Sequence, residues 1–208
     1  MSTNLRKKSG IIYLSVFLLL ICAVATAAMS LVAVMTENPI RERQAAMIQD
    51  TLKLVLPQFV SLEEKTEAGK DFTLFTAKDQ NGKITGYAVR AVTTQGYGGR
   101  VEALVGFLPD GAVYNIVVTS HNETPGIGTK VMNREQIKTI SDVIGNKKAP
   151  EGLPKNRALD SYKGKTLKEK LSRDNVHFIS GATVSSNAML DLVNTARMIL
   201  QQTIQGVK

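Results

Sequence analysis

Three features of the sequence predict an α+β architecture, with one N-terminal transmembrane helix followed by a single domain of mainly antiparallel sheet and packed helices. A long uncharged run lies near the start, two pairs of strand-like runs are each joined by a strong turn signal, and an amphipathic helical pattern closes the chain. The 208 residues, 43% hydrophobic and 21% charged, suit a folded chain of one medium domain plus a membrane segment.

From Ile11 to Met35 the run "IIYLSVFLLLICAVATAAMSLVAVM" contains no charged residue. As a helix it rises about 37 Å at roughly 1.5 Å per residue, enough to cross a hydrocarbon core of about 30 Å with some tilt. Arg6, Lys7 and Lys8 precede it, so the positive-inside rule leaves residues 1–10 in the cytoplasm and exports the C-terminal remainder, although Arg41 and Arg43 dilute the asymmetry. The competing possibility is a cleaved signal peptide, for which Ala25 to Ala27 offers a small-x-small site. Against it, hydrophobicity continues through "SLVAVM", past the usual apolar core of about 7 to 15 residues. Cys22, the only cysteine, lies inside the run, which excludes an intrachain disulfide framework and any multi-cysteine metal or iron-sulfur site. Redox chemistry in such a chain has to be borrowed from a cofactor.

After Asn38-Pro39, "IRERQAAMIQDTLKLVLP" spaces its apolar residues close to a helical period and stops at Pro57, predicting a linker helix within 36–60. Residues 61–208 then form the domain. "DFTLFTAKDQNGKITGYAVRAVTT" reads as two strands around Asn81-Gly82, and "VEALVGFL" and "AVYNIVVTS" as two more around Pro109-Asp110-Gly111. A short helix is expected near "REQIKTISDVIG", followed by a lysine-rich, Gly/Pro-punctuated surface stretch to about Lys170. In "SSNAMLDLVNTARMILQQTIQ", Met189, Leu192, Val193, Ala196, Ile199 and Leu200 fall on one face, the spacing of a helix packed on a sheet.

The net charge of +8 is scattered, with no arginine stripe interleaved with aromatics, which argues against a nucleic-acid partner. The only histidines, His121 and His177, have neither close spacing nor clustered carboxylates around them, so no metal site is expected, and no constellation of catalytic residues is recognisable. "GYGGR" (Gly96 to Arg100) taken alone is a strand-to-strand corner or bulge. "SGATVSS" (Ser180 to Ser186) concentrates small and hydroxylated residues where the last helix begins. Gly181 and Ala182 permit close backbone approach, while Ser180, Thr183, Ser185 and Ser186 offer hydroxyls. The plainer explanation is helix capping. The other is a phosphate site at the exposed amides and positive dipole end of the helix.

"SGAT" (Ser180 to Thr183) resembles the flavinylation motif of FMN-binding subunits in ion-translocating Rnf and sodium-pumping NADH:quinone reductase complexes. "GYGG" before a hairpin, "HNETPGIG" (His121 to Gly128) soon after it, and a single N-terminal membrane helix stand in the same order, so the likeness covers nearly the whole chain. The compact length is most similar to the G subunit of the Rnf electron-transport complex. The resemblance implies FMN attached through its phosphate to Thr183 by a separate flavin transferase that uses FAD and Mg²⁺. It also implies a flavin pocket formed by Ser180, Gly181, Ala182, Ser185 and Ser186, by Glu123, Thr124, Pro125, Gly126, Ile127 and Gly128, and by Tyr97 with Gly98. The family pattern commonly has an acidic residue six positions before the threonine; this chain has His177, with Asp174 out of register. The resemblance further implies a bacterial inner-membrane subunit with a periplasmic domain, which relays electrons among partner subunits. Two alternatives stand beside it: the equivalent flavin subunit of a quinone reductase or a stand-alone extracytoplasmic carrier, and a cofactor-free anchored binding or scaffold domain.

Overall fold

The computed structural model describes residues 3–66, 72–134 and 153–206, with side chains left aside at 3–12, 38–46 and 205–206. The chain divides into two units, Met1–Met47 and Ile48–Lys208. In the first, the helix α1 (Thr3–Val55, continuing into the second unit) carries the apolar stretch Tyr13–Glu37, 25 residues long and apolar enough to cross a membrane. Asn38-Pro39 does not end this helix, so the crossing stretch and the expected linker belong to one element. It stops two residues short of Pro57, as the restriction on residues preceding proline requires.

The second unit is built on a five-stranded antiparallel meander in the order β1-β2-β3-β4-β5: β1 (Ser61–Thr66), β2 (Thr73–Lys78), β3 (Ile84–Gly96), β4 (Gly99–Phe107) and β5 (Val113–His121). The four strands predicted from the turns are β2 to β5. At the first turn Gly82 adopts φ +74°, and the Asp79 carboxylate accepts from the amides of Asn81 and Lys83 at 2.8 and 2.9 Å. At the second, Gly111 has φ +83° and Asp110 accepts from Ala112 N at 2.9 Å. β1 is a strand that the sequence pattern conceals. "SLEEKT" lies at the sheet edge with only Leu62 half-buried, so no apolar alternation betrays it.

Strand alternation sends side chains to two cores. On one face Leu74, Val89, Ala91, Val101, Ala103, Val105 and Phe107 meet the last helix. On the other, Phe75, Ala77, Ala88 and Leu104 meet the end of α1 through Leu52, Val55 and Leu56. Among the described residues beyond β5 are two one-turn helices, α2 (Thr129–Met132) and α3 (Arg157–Asp160), and the long α4 (Thr183–Gly206), which packs chiefly on β3. All six residues predicted for the packed face of α4 belong to its core, and full burial of each larger side chain stabilises the fold by about 1.5–3 kcal/mol. The short helix expected near "REQIKTISDVIG" falls almost entirely outside the described residues.

Gly106 seats the end of α1 on the sheet. A Cβ there would lie 1.7 Å from the carbonyl oxygen of Val55, and Asn115 Nδ2 donates to the neighbouring Leu54 carbonyl at 3.0 Å. Gly106→Ala is expected to lift this helix end and destabilise the second unit by about 1–3 kcal/mol. Thermal unfolding of the detergent-solubilised chain measures this, and an unchanged midpoint would mean that the helix end does not bear on β4.

Candidate functional site

Three loops meet at one end of the sheet. The first is the tight β3–β4 turn, where Gly96 pairs with Gly99 across Tyr97-Gly98 and Gly99 has φ +92°. The second runs from Asn122 to Gly128, between β5 and α2, and the third leads into α4 through Gly181 at φ +82°. Between them lies a cavity of about 340 Å³, within the range of small-ligand sites.

Of the residues expected at the site, Tyr97, Glu123, Thr124, Ile127, Gly128, Gly181, Ala182, Thr183 and Ser185 line this cavity. Val184 lines it too, although an apolar residue in a helix-like pattern gives no sequence signal for such a role. The other expected residues stand behind the wall or beside it. Gly98 lies so close to the loop that a Cβ would come within 1.9 Å of Asn122 O. Gly126 turns the loop at φ +76°, its N–H donating to Thr129 Oγ1 at 2.8 Å, and Pro125 precedes it in the same turn. Ser180 is exposed in the turn before α4. Ser186 is buried, and its hydroxyl accepts from Ile179 N at 3.3 Å. His177 is exposed, its amide donating to Ser161 Oγ at 2.9 Å.

The α4 N-terminus does not follow the capping explanation. Ala182 occupies the N-cap position, where a methyl group accepts no hydrogen bond, and the first helical bond runs from Ser186 N to Ala182 O at 2.9 Å. The amides of Thr183, Val184 and Ser185 therefore precede any intrahelical acceptor. Ser185 and Ser186 spend their hydroxyls elsewhere, and the exposed Thr183 hydroxyl makes no hydrogen bond to any described residue. Uncapped amides, the positive end of a 24-residue helix and an unspent hydroxyl thus coincide at the cavity.

Opposite stands Glu123, 5% exposed. Its Oε2 accepts from Ser185 Oγ at 2.7 Å, while Oε1 is buried without a hydrogen-bond partner among the described residues. The carboxylate occupies space left by two glycines: a Cβ at Gly96 would lie 2.7 Å from Oε1, and one at Gly128 would lie 2.4 Å from Oε2. Gly96, part of the recognised "GYGG", gains its importance only from this juxtaposition.

Behind the loop, a polar cluster holds α2 and α3 together. Asn156 is buried, and its Nδ2 donates to the carbonyls of Lys130, Val131 and Asn133 at 3.1, 3.3 and 2.7 Å, while its Oδ1 accepts from Leu159 N at 3.1 Å. One amide thereby caps the end of α2 and the start of α3. Burial by itself raises the Asp160 pKa. Hydrogen bonds from Arg134 Nη1 at 2.8 Å and Asn156 N at 3.0 Å, with the charges of Arg134 and Lys163, outweigh it and hold the carboxyl below the usual aspartate value.

Two outcomes are expected. Ser185→Ala leaves the Glu123 carboxyl without a partner for either oxygen and should cost about 1–3 kcal/mol in denaturant unfolding. Because the folded pKa of Asp160 is depressed, its stabilising contribution is complete above the ordinary aspartate value of about 3.9 and disappears as pH falls through the folded value. Asp160→Asn should therefore flatten the acid limb of a stability-versus-pH profile, whereas an acid limb as steep as that of the unaltered chain would exclude this carboxylate as its source.

The FMN-binding domain family model matches residues 96–197, from the β3–β4 turn into α4. Among curated proteins, the G subunit of the Na⁺-translocating ferredoxin:NAD⁺ oxidoreductase complex of Acetobacterium woodii is 29% identical over 202 residues, covering 90% of both chains. The G subunit of the ion-translocating oxidoreductase complex of Pasteurella multocida is 32% identical over 143 residues, covering 64% of this chain and 68% of that one. The crystal structure of Shewanella oneidensis NqrC is also similar, with a TM-score of 0.42 and 18% identity over 68% of this chain and 65% of that one. With its cavity bounded by the two glycine-bearing loops and the start of α4, and with relatives that align along most of its length, this chain belongs to the FMN-binding G subunits of ion-translocating oxidoreductase complexes.

Proposed function

We propose that the chain is the membrane-anchored flavoprotein subunit of an Rnf-type ferredoxin:NAD⁺ oxidoreductase complex that translocates ions, and that it relays electrons through FMN held as a phosphoester on Thr183. One observation carries the covalent assignment: Thr183 lines the cavity at the uncapped amides of α4, exposed and with its hydroxyl hydrogen-bonded to no described residue. A phosphate is favoured at those amides and at that dipole end. The opposite wall also suits a flavin. The buried Glu123 Oε1, without a hydrogen-bond partner among the described residues, is an acceptor that a ligand donor would satisfy, and the oxidised isoalloxazine ring carries one ring N–H. Thr124, Ile127 and Gly128 would complete that wall, and Tyr97 would flank it. FMN, when bound, supplies one- and two-electron redox chemistry.

The chain's own residues bind, orient and shield. Ser185 holds the Glu123 carboxylate, Gly96 and Gly128 leave room for it, and Gly181 with Ala182 keeps the approach to Thr183 free of bulk. Thr183 Oγ1 would supply the oxygen of the phosphoester that holds FMN and give up its proton to the transferase, which would break the phosphoanhydride bond of FAD with AMP as the leaving group. A tether suits an exported domain, where lost FMN is not readily replaced.

Membership of this family, together with the apolar Tyr13–Glu37 helix, supports membrane anchoring within a multisubunit assembly. We assign residues 1–10 to the cytoplasm of a bacterial cell, 11–35 to the inner-membrane crossing, 36–60 to the link and 61–208 to a periplasmic FMN domain. The basic Arg6, Lys7 and Lys8 support this orientation. The absence of charge from Ile11 to Met35 argues that this segment docks against integral partners rather than forming the ion path.

Thr183→Val is nearly isosteric and removes the hydroxyl, so it should abolish the FMN-phosphoryl adduct while leaving folding stability within about 1 kcal/mol of the unaltered chain. Peptide mass spectrometry on chain matured with an active transferase makes the comparison. Covalent FMN retained in the valine variant would overturn the assignment.

A further inference from the structure

We infer that His121, which does not line the cavity, is a positioning residue that fixes Glu123 through a single imidazole tautomer; its significance for the cofactor rests on the FMN assignment above. His121 ends β5 and is partly buried, and both ring nitrogens are engaged. The amide of Glu123 donates to Nδ1 at 3.2 Å, and Nε2 lies 2.6 Å from Asn133 Oδ1. A backbone N–H only donates, so Nδ1 must present its lone pair. The proton of the neutral ring then resides on Nε2, which donates to Asn133 Oδ1. The same step orients the Asn133 amide, oxygen toward the ring.

Glu123 stands near the start of the cavity loop, and Asn133 is the C-cap of α2, which follows that loop. The imidazole therefore ties the two ends of one segment together. Asn133 is itself anchored: its N–H donates to Thr129 O at 2.8 Å, and its carbonyl accepts from buried Asn156 Nδ2 at 2.7 Å. Polar contacts thus lead from Asn156 through Asn133 and His121 to the Glu123 backbone, and from the Glu123 side chain to Ser185 on α4. With its backbone held by His121 and its carboxylate by Ser185, Glu123 has one place for Oε1. A ring carrying a proton on Nδ1 would set two donors against each other and release the loop near its start.

Two measurements on the full chain in detergent test this. The first is ¹⁵N NMR of histidine-labelled protein, in which His177→Gln removes the signals of the only other histidine. The expected pattern for His121 is one bare nitrogen at Nδ1 and one protonated nitrogen at Nε2. An Nδ1–H tautomer, or two nitrogens averaged by exchange, would overturn the inference. The second is the flavin midpoint potential of chain with its Thr183 adduct verified by mass. His121→Phe and His121→Gln, which remove the acceptor facing Glu123 N–H, should both shift the potential. His121→Asn, whose Oδ1 can stand near the former Nδ1, should return it most of the way. Unaltered potentials in all three variants, or no recovery in His121→Asn, would exclude the positioning role. If the matured chain carries no FMN at all, the cofactor assignment falls and takes the potential with it, whereas the NMR tautomer still decides whether His121 holds Glu123.

Discussion

A carboxylate buried at the junction of a loop and a helix sets the geometry of the site. Glu123 lies in space that only glycine at 96 and 128 leaves open, and its bond to Ser185 joins the loop after β5 to the first turn of α4. Burying a carboxylate costs several kcal/mol unless its oxygens find donors, so a single satisfied oxygen beside one unsatisfied oxygen marks a place where folding alone is not optimised. Such residual dissatisfaction is characteristic of sites completed by a ligand. The fold sustains it because the surrounding elements are held independently of it.

That independent support comes from the sheet. β4 is buried on both sides, with Val101, Ala103, Val105 and Phe107 toward α4 and Leu104 toward the end of α1. The two faces differ in kind. Large side chains under α4 form the main core, whereas Ala77, Ala88 and Gly106 keep the other face shallow enough for a helix end to approach the strands closely. At the far side of the core, buried Arg197 of α4 holds the segment before it by donating to the carbonyls of Thr166 and Glu169. α4 is thus fixed along its length before its N-terminus is asked to carry a ligand.

The hydroxyl-rich start of α4 shows how a composition signal divides into separate tasks. Ser185 steadies Glu123, Ser186 ties back the turn at Ile179, Ser180 faces solvent, and Thr183 stands beside open amides with its hydroxyl bonded to no described residue. From the segment itself, capping is the natural expectation, because serine and threonine are ordinary capping residues. It fails because the residue in the N-cap position is Ala182. The alanine leaves helix amides open at the place where we propose that the FMN phosphate is held.

Much of the fold was legible in the sequence. Asn81-Gly82 and Pro109-Asp110-Gly111 located the hairpins because their backbones need residues of those types, and the period of α4 named its buried face because helix geometry is local. β1 stayed hidden because an edge strand facing solvent has no need of alternation. Attachment at Thr183 and a pocket at "ETPGIG" were suggested by motif resemblance, not by periodicity. What only the tertiary structure decided is which side chains meet across long separations in the chain: Glu123 with Ser185, the room at Gly96 and Gly128, Val184 at the cavity wall, and His121 bridging Glu123 and Asn133. Local propensity specifies the elements. The distances on which binding depends arise when the sheet and α4 pack against each other, and no residue pattern along the chain encodes them directly.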